Sequence, residues 1–163
     1  MSEEICTSCR QAKVSKTPIH CGLCQSLLCK DCTQFLDPEA LSFLSEIPKE
    51  STHNTYCGTC YSRDIVPTLE SYADVMKRAQ QVHIFYKNER NVPYHTRSKK
   101  PLTVENCPDR KEVLLRLAFL AAQQSCDAVI DIVLNSEKMR NAGYQKTNWS
   151  GTGLAARMKA VSQ

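Results

Sequence analysis

The sequence predicts an α+β chain in two parts, a small metal-organised module over residues 1–66 and a ββαββ sheet domain over residues 82–163, joined by a helix at 67–81. Three observations carry this expectation. Eight of the ten cysteines form four Cys-x-x-Cys knuckles, Cys6/Cys9, Cys21/Cys24, Cys29/Cys32 and Cys57/Cys60, all before residue 66. The longest apolar runs begin only after Leu114. The second half reads as strand, strand, helix, strand, strand, the order of an open sheet with one helix on one face.

Four thiol pairs of one spacing suit two tetrahedral zinc sites. Zinc takes about four soft ligands near 2.3 Å, and a Cys-x-x-Cys turn presents two on one side of a tight loop. A disulfide scaffold is the competing reading. The start, Met-Ser-Glu-Glu, is acidic with no apolar export segment, which predicts a cytoplasmic setting where thiols stay reduced. The expected cofactor is therefore Zn²⁺, two ions per chain, held by the eight knuckle cysteines. No stretch approaches the roughly 20 apolar residues that cross a bilayer.

The net charge of +4 conceals an asymmetry. Residues 1–66 carry six Lys or Arg against eight Asp or Glu, and residues 67–163 carry fifteen against nine. A four-thiolate zinc site adds a formal −2, so two sites bring the first part to about −6. Binding to phosphates or anionic lipid would thus fall to the second part.

In the first part, residues 10–20, with Val14, Pro18 and Ile19, predict a short β excursion between the first two knuckles, and Leu27 and Leu28 are placed to pack between the metals. With few large apolar residues nearby, metal binding supplies much of the folding free energy. Between Cys32 and Cys57 the spacing predicts a helix: Asp37 as N-cap, Pro38 at the first position, Pro48 as terminator, and Leu36, Ala40, Phe43, Leu44 and Ile47 on one face.

In the second part, Thr68–Gln81 reads as the connecting helix and Val82–Tyr86 as a strand. Lys87–Lys100 is polar and basic and reads as a solvated loop. Leu102–Glu105 is a second strand, and the capping box Asp109-Arg110-Lys111-Glu112 opens a helix over 109–125. Ala128–Leu134 is the strongest strand. After the turn at Asn141-Ala142-Gly143, Tyr144–Met158 returns as its partner, with Gly151 and Gly153 marking a bulge or a close backbone approach. Cys107 and Cys126 lie 19 residues apart at opposite ends of the helix, near 28 Å at about 1.5 Å per residue, so one chain cannot bring both to one metal. They read as structural cysteines, and His83 and His95 as ordinary residues.

The knuckle spacing, with Cys21–Cys32 and the closing Tyr56-Cys57-Gly58-Thr59-Cys60-Tyr61, resembles the FYVE family of cross-braced, treble-clef zinc fingers. That resemblance implies one zinc on Cys6, Cys9, Cys29 and Cys32 and the other on Cys21, Cys24, Cys57 and Cys60. Spacing alone also allows sequential pairing, first knuckle with second and third with fourth. The family recognises a phosphoinositide through an upstream Trp and an Arg- and His-rich stretch at the third cysteine. Here no Trp precedes Cys6, and only Lys16, His20 and Cys21 correspond. The resemblance implies the scaffold and not the lipid function. In the second part, Ala128–Ile132 and Trp149–Ala155 resemble the closing hairpin of a small bacterial family named for heavy-metal binding, whose members form ring-shaped oligomers.

No phosphate loop, nucleophile motif or His-Glu-x-x-His pattern is present, and four-thiolate zinc sites have no open position, so the sequence predicts no enzyme. The leading expectation is a non-enzymatic zinc-binding adaptor or regulator that acts through protein partners and forms a homo-oligomer through residues 82–163. A metal-handling or metal-sensing protein, or a phosphoinositide or anionic-membrane module, is the alternative. Nucleic acid is disfavoured as a partner.

Overall fold

The computed structural model describes residues 4–12 and 16–160, so Val14 lies outside the described residues. The chain is an α+β mixture that divides into two compact units, residues 1–73 and 74–163. The division falls within the Val66–Ala79 helix.

The first unit is built on two small antiparallel pairs. β1 (Ile19–His20) pairs with β2 (Leu27–Leu28), and β3 (Thr33–Phe35) pairs with β4 (Thr55–Cys57). A helical stretch follows: a single turn α1 (Gly58–Cys60), a π-helical segment (Tyr61–Ile65) and α2 (Val66–Ala79). Ile65 is fully buried in this unit and Leu69 packs against the same core, which is why the first part of α2 belongs to it. The core holds Leu28, Leu36, Tyr56 and Ile65 around Cys21, Cys57 and Cys60. Leu28 is buried as expected, whereas Leu27 is half-buried.

The helix expected over 37–47 does not form. The segment is a run of turns closed by i→i+3 bonds, Ala40 N–H to Asp37 O, Ser42 N–H to Glu39 O and Leu44 N–H to Leu41 O, at 3.0–3.2 Å. A segment this short is marginal as a helix by itself, so its anchors decide its shape. Leu36 N–H is bonded to Asn54 O, Asp37 Oδ1 accepts from Glu39 N–H at 2.8 Å, and Phe43 N–H donates to the Tyr72 hydroxyl. The expected stripe survives only in part: Leu36 is buried, Ala40, Phe43 and Leu44 are half-buried and Ile47 is 44% exposed, while Leu41, off the stripe, is buried.

Tyr56 organises the insertion. Its fully buried ring sits under the 50–53 loop, where the hydroxyl accepts from His53 N–H at 3.1 Å and meets Glu50 O at 2.7 Å and His53 O at 2.9 Å. Burial raises its pKa above the ordinary phenol value. Tyr56→Phe leaves those backbone groups short of a partner at unchanged shape, and is expected to cost about 1–3 kcal/mol of stability in urea unfolding of the metal-loaded chain.

The second unit is a curled five-stranded sheet with order β5–β8–β9–β6, and β7 pairs with β9 beside β6. The strands are β5 (His83–Tyr86), β6 (Tyr94–Arg97), β7 (Leu102–Cys107), β8 (Ala128–Asn141) and β9 (Tyr144–Met158). β6 is an addition, since it lies inside the stretch read as a solvated loop. Only Tyr94 of its four residues is apolar, so no alternation signals it, yet Tyr94 packs against Ala128, Ile130 and Ala156. α3 (Arg110–Gln123) covers the other face through Val113, Leu117 and Ala121. Its cap is as expected, with Asp109 Oδ1 accepting from Glu112 N–H at 2.8 Å.

The two glycines of β9 realise the close-approach alternative. A Cβ at Gly151 would lie 2.6 Å from Val113 Cγ1, and one at Gly153 2.6 Å from Val129 Cγ1. The bulge sits across from them on β8, where Asp131 has φ 53° and the register shifts between Ile130 and Val133. Ala142 and Gly143 both have positive φ, the signature of a two-residue type I′ turn. Beyond Leu134 the β8–β9 pairing continues as a ribbon to Asn141↔Tyr144, and its tip is exposed.

Candidate metal centres

The chain brings the knuckles together alternately. The Sγ atoms of Cys6, Cys9, Cys29 and Cys32 all lie within 4.8 Å of one another, as do those of Cys21, Cys24, Cys57 and Cys60. First therefore joins third and second joins fourth, and the sequential arrangement is not the one adopted.

Local backbone explains each knuckle. Cys6 and Cys9 close a turn in which Arg10 N–H donates to Cys6 O at 2.8 Å, and Arg10 takes φ 57°. Cys21 and Cys24 repeat this, with Gln25 N–H on Cys21 O and Gln25 at φ 61°. The other two knuckles are helical: Cys29–Cys32 passes through a 3-10 turn (Lys30–Cys32), and Cys57 caps α1 by accepting from Cys60 N–H. Each cluster thus pairs one turn knuckle with one helical knuckle. Backbone bonds hold the partners in place, Thr7 N–H to Leu27 O for the first cluster and Gly22 N–H to Thr55 O for the second, each 2.9 Å.

The sulfur spacing tests the fit to a metal. Cys9–Cys29 and Cys24–Cys57 are both 3.8 Å between Sγ atoms. Four sulfurs at about 2.3 Å from a tetrahedral ion stand about 3.8 Å apart along each edge, whereas a disulfide needs about 2.05 Å. All ten cysteines are free. Each four-cysteine group fits one bound metal ion.

Electrostatics show why a cation belongs there. At Cys6, burial opposes ionisation, but backbone hydrogen bonds from Cys9, Cys29 and Ser8 outweigh it and lower the thiol to about 6. Cys21 is likewise lowered to about 6, with Cys24, Cys57 and Leu23 overcoming burial. Cys24 is lowered chiefly by the Ser26 hydroxyl, 3.0 Å away. Cys32 moves the other way, to about 12, first because it shares a proton with Cys29 and then through burial. Cys60 is pushed to about 12 by burial and then by Cys57, Cys24 and Cys21. Without a cation the first cluster ionises Cys6 readily and the second Cys21 and Cys24, and each resists ionising its last thiol, Cys32 or Cys60.

A pH dependence follows. Values near 6 lie below the ordinary 9.0, so the Cys6 and Cys21 thiolates stabilise the fold above pH 9 and lose that contribution as pH falls through about 6. Metal needs thiolates, so acid competes with it at both sites. Titrating affinity against pH with a chromophoric chelator is expected to show binding weaken as pH falls below about 9, because the chain that gives up its metal is unfolded and its thiols take up protons near their ordinary value.

The clusters differ at the surface. Cys6, Cys21, Cys29, Cys57 and Cys60 are buried and Cys9 and Cys32 half-buried, but Cys24 is exposed. Two neighbours of the clusters carry no sequence signal of their own. Ser26 stands two residues beyond Cys24, and the Arg63 guanidinium comes within 4.0 Å of Cys60 Sγ while paired with Asp64 at 2.7 Å. Arg63 is legible only once Cys60 is known to be helical, since i and i+3 then share a face.

The remaining candidates stay apart from the clusters. Cys107 is buried beneath α3, with its thiol donating to Glu105 O, and burial raises its pKa. Cys126 is half-buried, with its thiol on Gln124 O. His83 and His95 are exposed, and among the described residues no further group of metal-ligating side chains occurs. Among those residues, no helix is long and apolar enough to cross a membrane. Searches of protein-family models, curated proteins and solved structures return no match, so the reading of these centres rests on their geometry.

Proposed function

We propose that this chain is a non-enzymatic, cytoplasmic zinc-binding adaptor or regulator: a FYVE-like two-zinc finger that contacts protein partners, followed by a sheet domain that assembles copies of the chain. One observation carries the reading. Each cluster is a complete set of four cysteine sulfurs, and four protein ligands close a tetrahedral site against water or substrate. Zinc is favoured over other ions by four thiolates at tetrahedral spacing, and ten free thiols suit a reducing compartment.

Self-assembly is supported by the ribbon of β8 and β9. Its outer part, from Glu137↔Asn148 to Asn141↔Tyr144, pairs with no third strand among the described residues, and Met139 and Tyr144 are 54% and 84% exposed. A two-stranded ribbon alone is marginal in water, so a neighbouring copy is a natural support for it. Sedimentation velocity of the full chain tests this. The reading expects a discrete oligomer that Met139→Lys with Tyr144→Lys dissociates without loss of metal; a monomer at about 100 μM would contradict it.

A metal-sensing role has one specific observation in its favour, the exposed Cys24. It requires the second cluster to exchange its ion with a chelator much faster than the first, whereas structural centres lose theirs together with the fold.

A further inference from the structure

We propose that the cleft between the two metal centres is a docking site for a basic segment of a partner protein, whose lysine or arginine side chains enter it. This rests on the metal-centre reading above and adds the chemistry of the partner. The cleft has a volume of about 740 Å³ and takes wall residues from both clusters, including Cys32 from one and Cys24 from the other. Its other wall residues include Thr7, Ser26, Gln34 and Thr59, each with a polar side-chain group.

Charge selects the occupant. With a divalent ion in place each four-thiolate centre is formally −2, so two such centres border one cleft. Among the described residues the one cation in its wall, Arg63, is held by Asp64 through Nε at 2.9 Å and through a second nitrogen at 2.7 Å, so this pair adds no net charge. The surrounding unit deepens the potential: residues 1–73 contain six Lys or Arg against nine Asp or Glu. Phosphates and acidic peptides are repelled. An apolar segment would strand the hydroxyls and the Gln34 amide.

A cationic side chain satisfies the same groups. Hydroxyl oxygens, the Gln34 carbonyl and the outward lone pairs of thiolates are acceptors, and an ammonium or guanidinium brings only donors. A third metal ion is a poorer occupant, because the sulfurs are already committed and neutral hydroxyls are weak ligands.

The test uses the full metal-loaded chain, with backbone amides followed by NMR and metal content followed by native mass spectrometry on the same samples. The probes are the peptide acetyl-(Gly-Lys)₃-amide, its (Gly-Glu)₃ counterpart, and spermine. Saturable shifts are expected from the lysine peptide at Thr7, Ser26, Gln34 and Thr59, with affinity falling at least about threefold between about 50 and 200 mM salt. Thr59→Lys, which places a competing cation at the exposed rim, is expected to weaken binding about tenfold with two metals retained. Equal binding of the glutamate peptide, binding of spermine alone, or an unchanged affinity in Thr59→Lys would overturn the proposal. Two metals without any peptide response would overturn it alone; fewer than two metals would overturn the metal-centre reading and this proposal with it.

Discussion

Full chelation of the chain is expected to unfold the first unit outright while the second keeps its sheet. Around the second cluster the first unit's core is small, with Leu28, Leu36, Tyr56 and Ile65 packed against its cysteines. Its strands are two or three residues long, too short to hold a register by themselves. A structural zinc supplies on the order of 10 kcal/mol of folding free energy, more than a core of this size can replace. The second unit contains no cluster residue, and its core of Leu117, Val113, Val129 and Ile132 is independent of metal. In NMR spectra taken with excess chelator, amides of residues 4–73 should collapse to random-coil positions while those of β5, β7, β8 and β9 stay dispersed. Cys21→Ser, which removes one buried ligand, should lose the second metal and destabilise the unit nearly as far. A chelated chain with Tyr56 still in a dispersed environment would contradict this account.

Gly151→Val is expected to be the most damaging substitution in the second unit. Val113 is fully buried on α3, and its Cγ1 lies 2.6 Å from where even a single Cβ would stand; Leu134 Cδ2 is 3.0 Å away and Val133 O 3.4 Å. Backbone and a buried methyl cannot both give way in a close-packed interior, so α3 must lift or β9 must shift. Overpacking by one or two methyl groups costs about 1–3 kcal/mol, and a valine here should reach or exceed the upper end. Pairing the change with Val113→Ala distinguishes contact from backbone effects. The double variant should recover at least about 1 kcal/mol over Gly151→Val in urea unfolding; no recovery would place the cost elsewhere.

How much of this was legible in the residues depends on the signal. The knuckles were, because Cys-x-x-Cys spacing reports ligand geometry directly, but which knuckles join is a tertiary fact carried by bonds such as Thr7 N–H to Leu27 O. The cap at Asp109 is legible from its capping box and the return of β9 from the turn at Asn141-Ala142-Gly143. The helix expected at 37–47 failed because its caps and stripe were real but short, and Asn54 and Tyr72 supplied competing anchors from far along the chain. β6 carries no readable signal because its one half-buried residue, Tyr94, gives no period. Gly151 and Gly153 signalled a backbone feature without saying which, and the bulge went to Asp131 on the neighbouring strand. Tyr56 stood in plain view beside Cys57, yet its role as acceptor for the 50–53 loop depends on where that loop folds.

The most direct test of the central claim is native mass spectrometry of the full chain purified without added metal. The account predicts two zinc ions per chain in a particle of one discrete size, with the ions lost together with the fold of residues 4–73 on acidification. A third tightly bound metal would contradict closed structural centres in favour of metal handling, and a folded first unit with no metal would contradict the reading of both clusters.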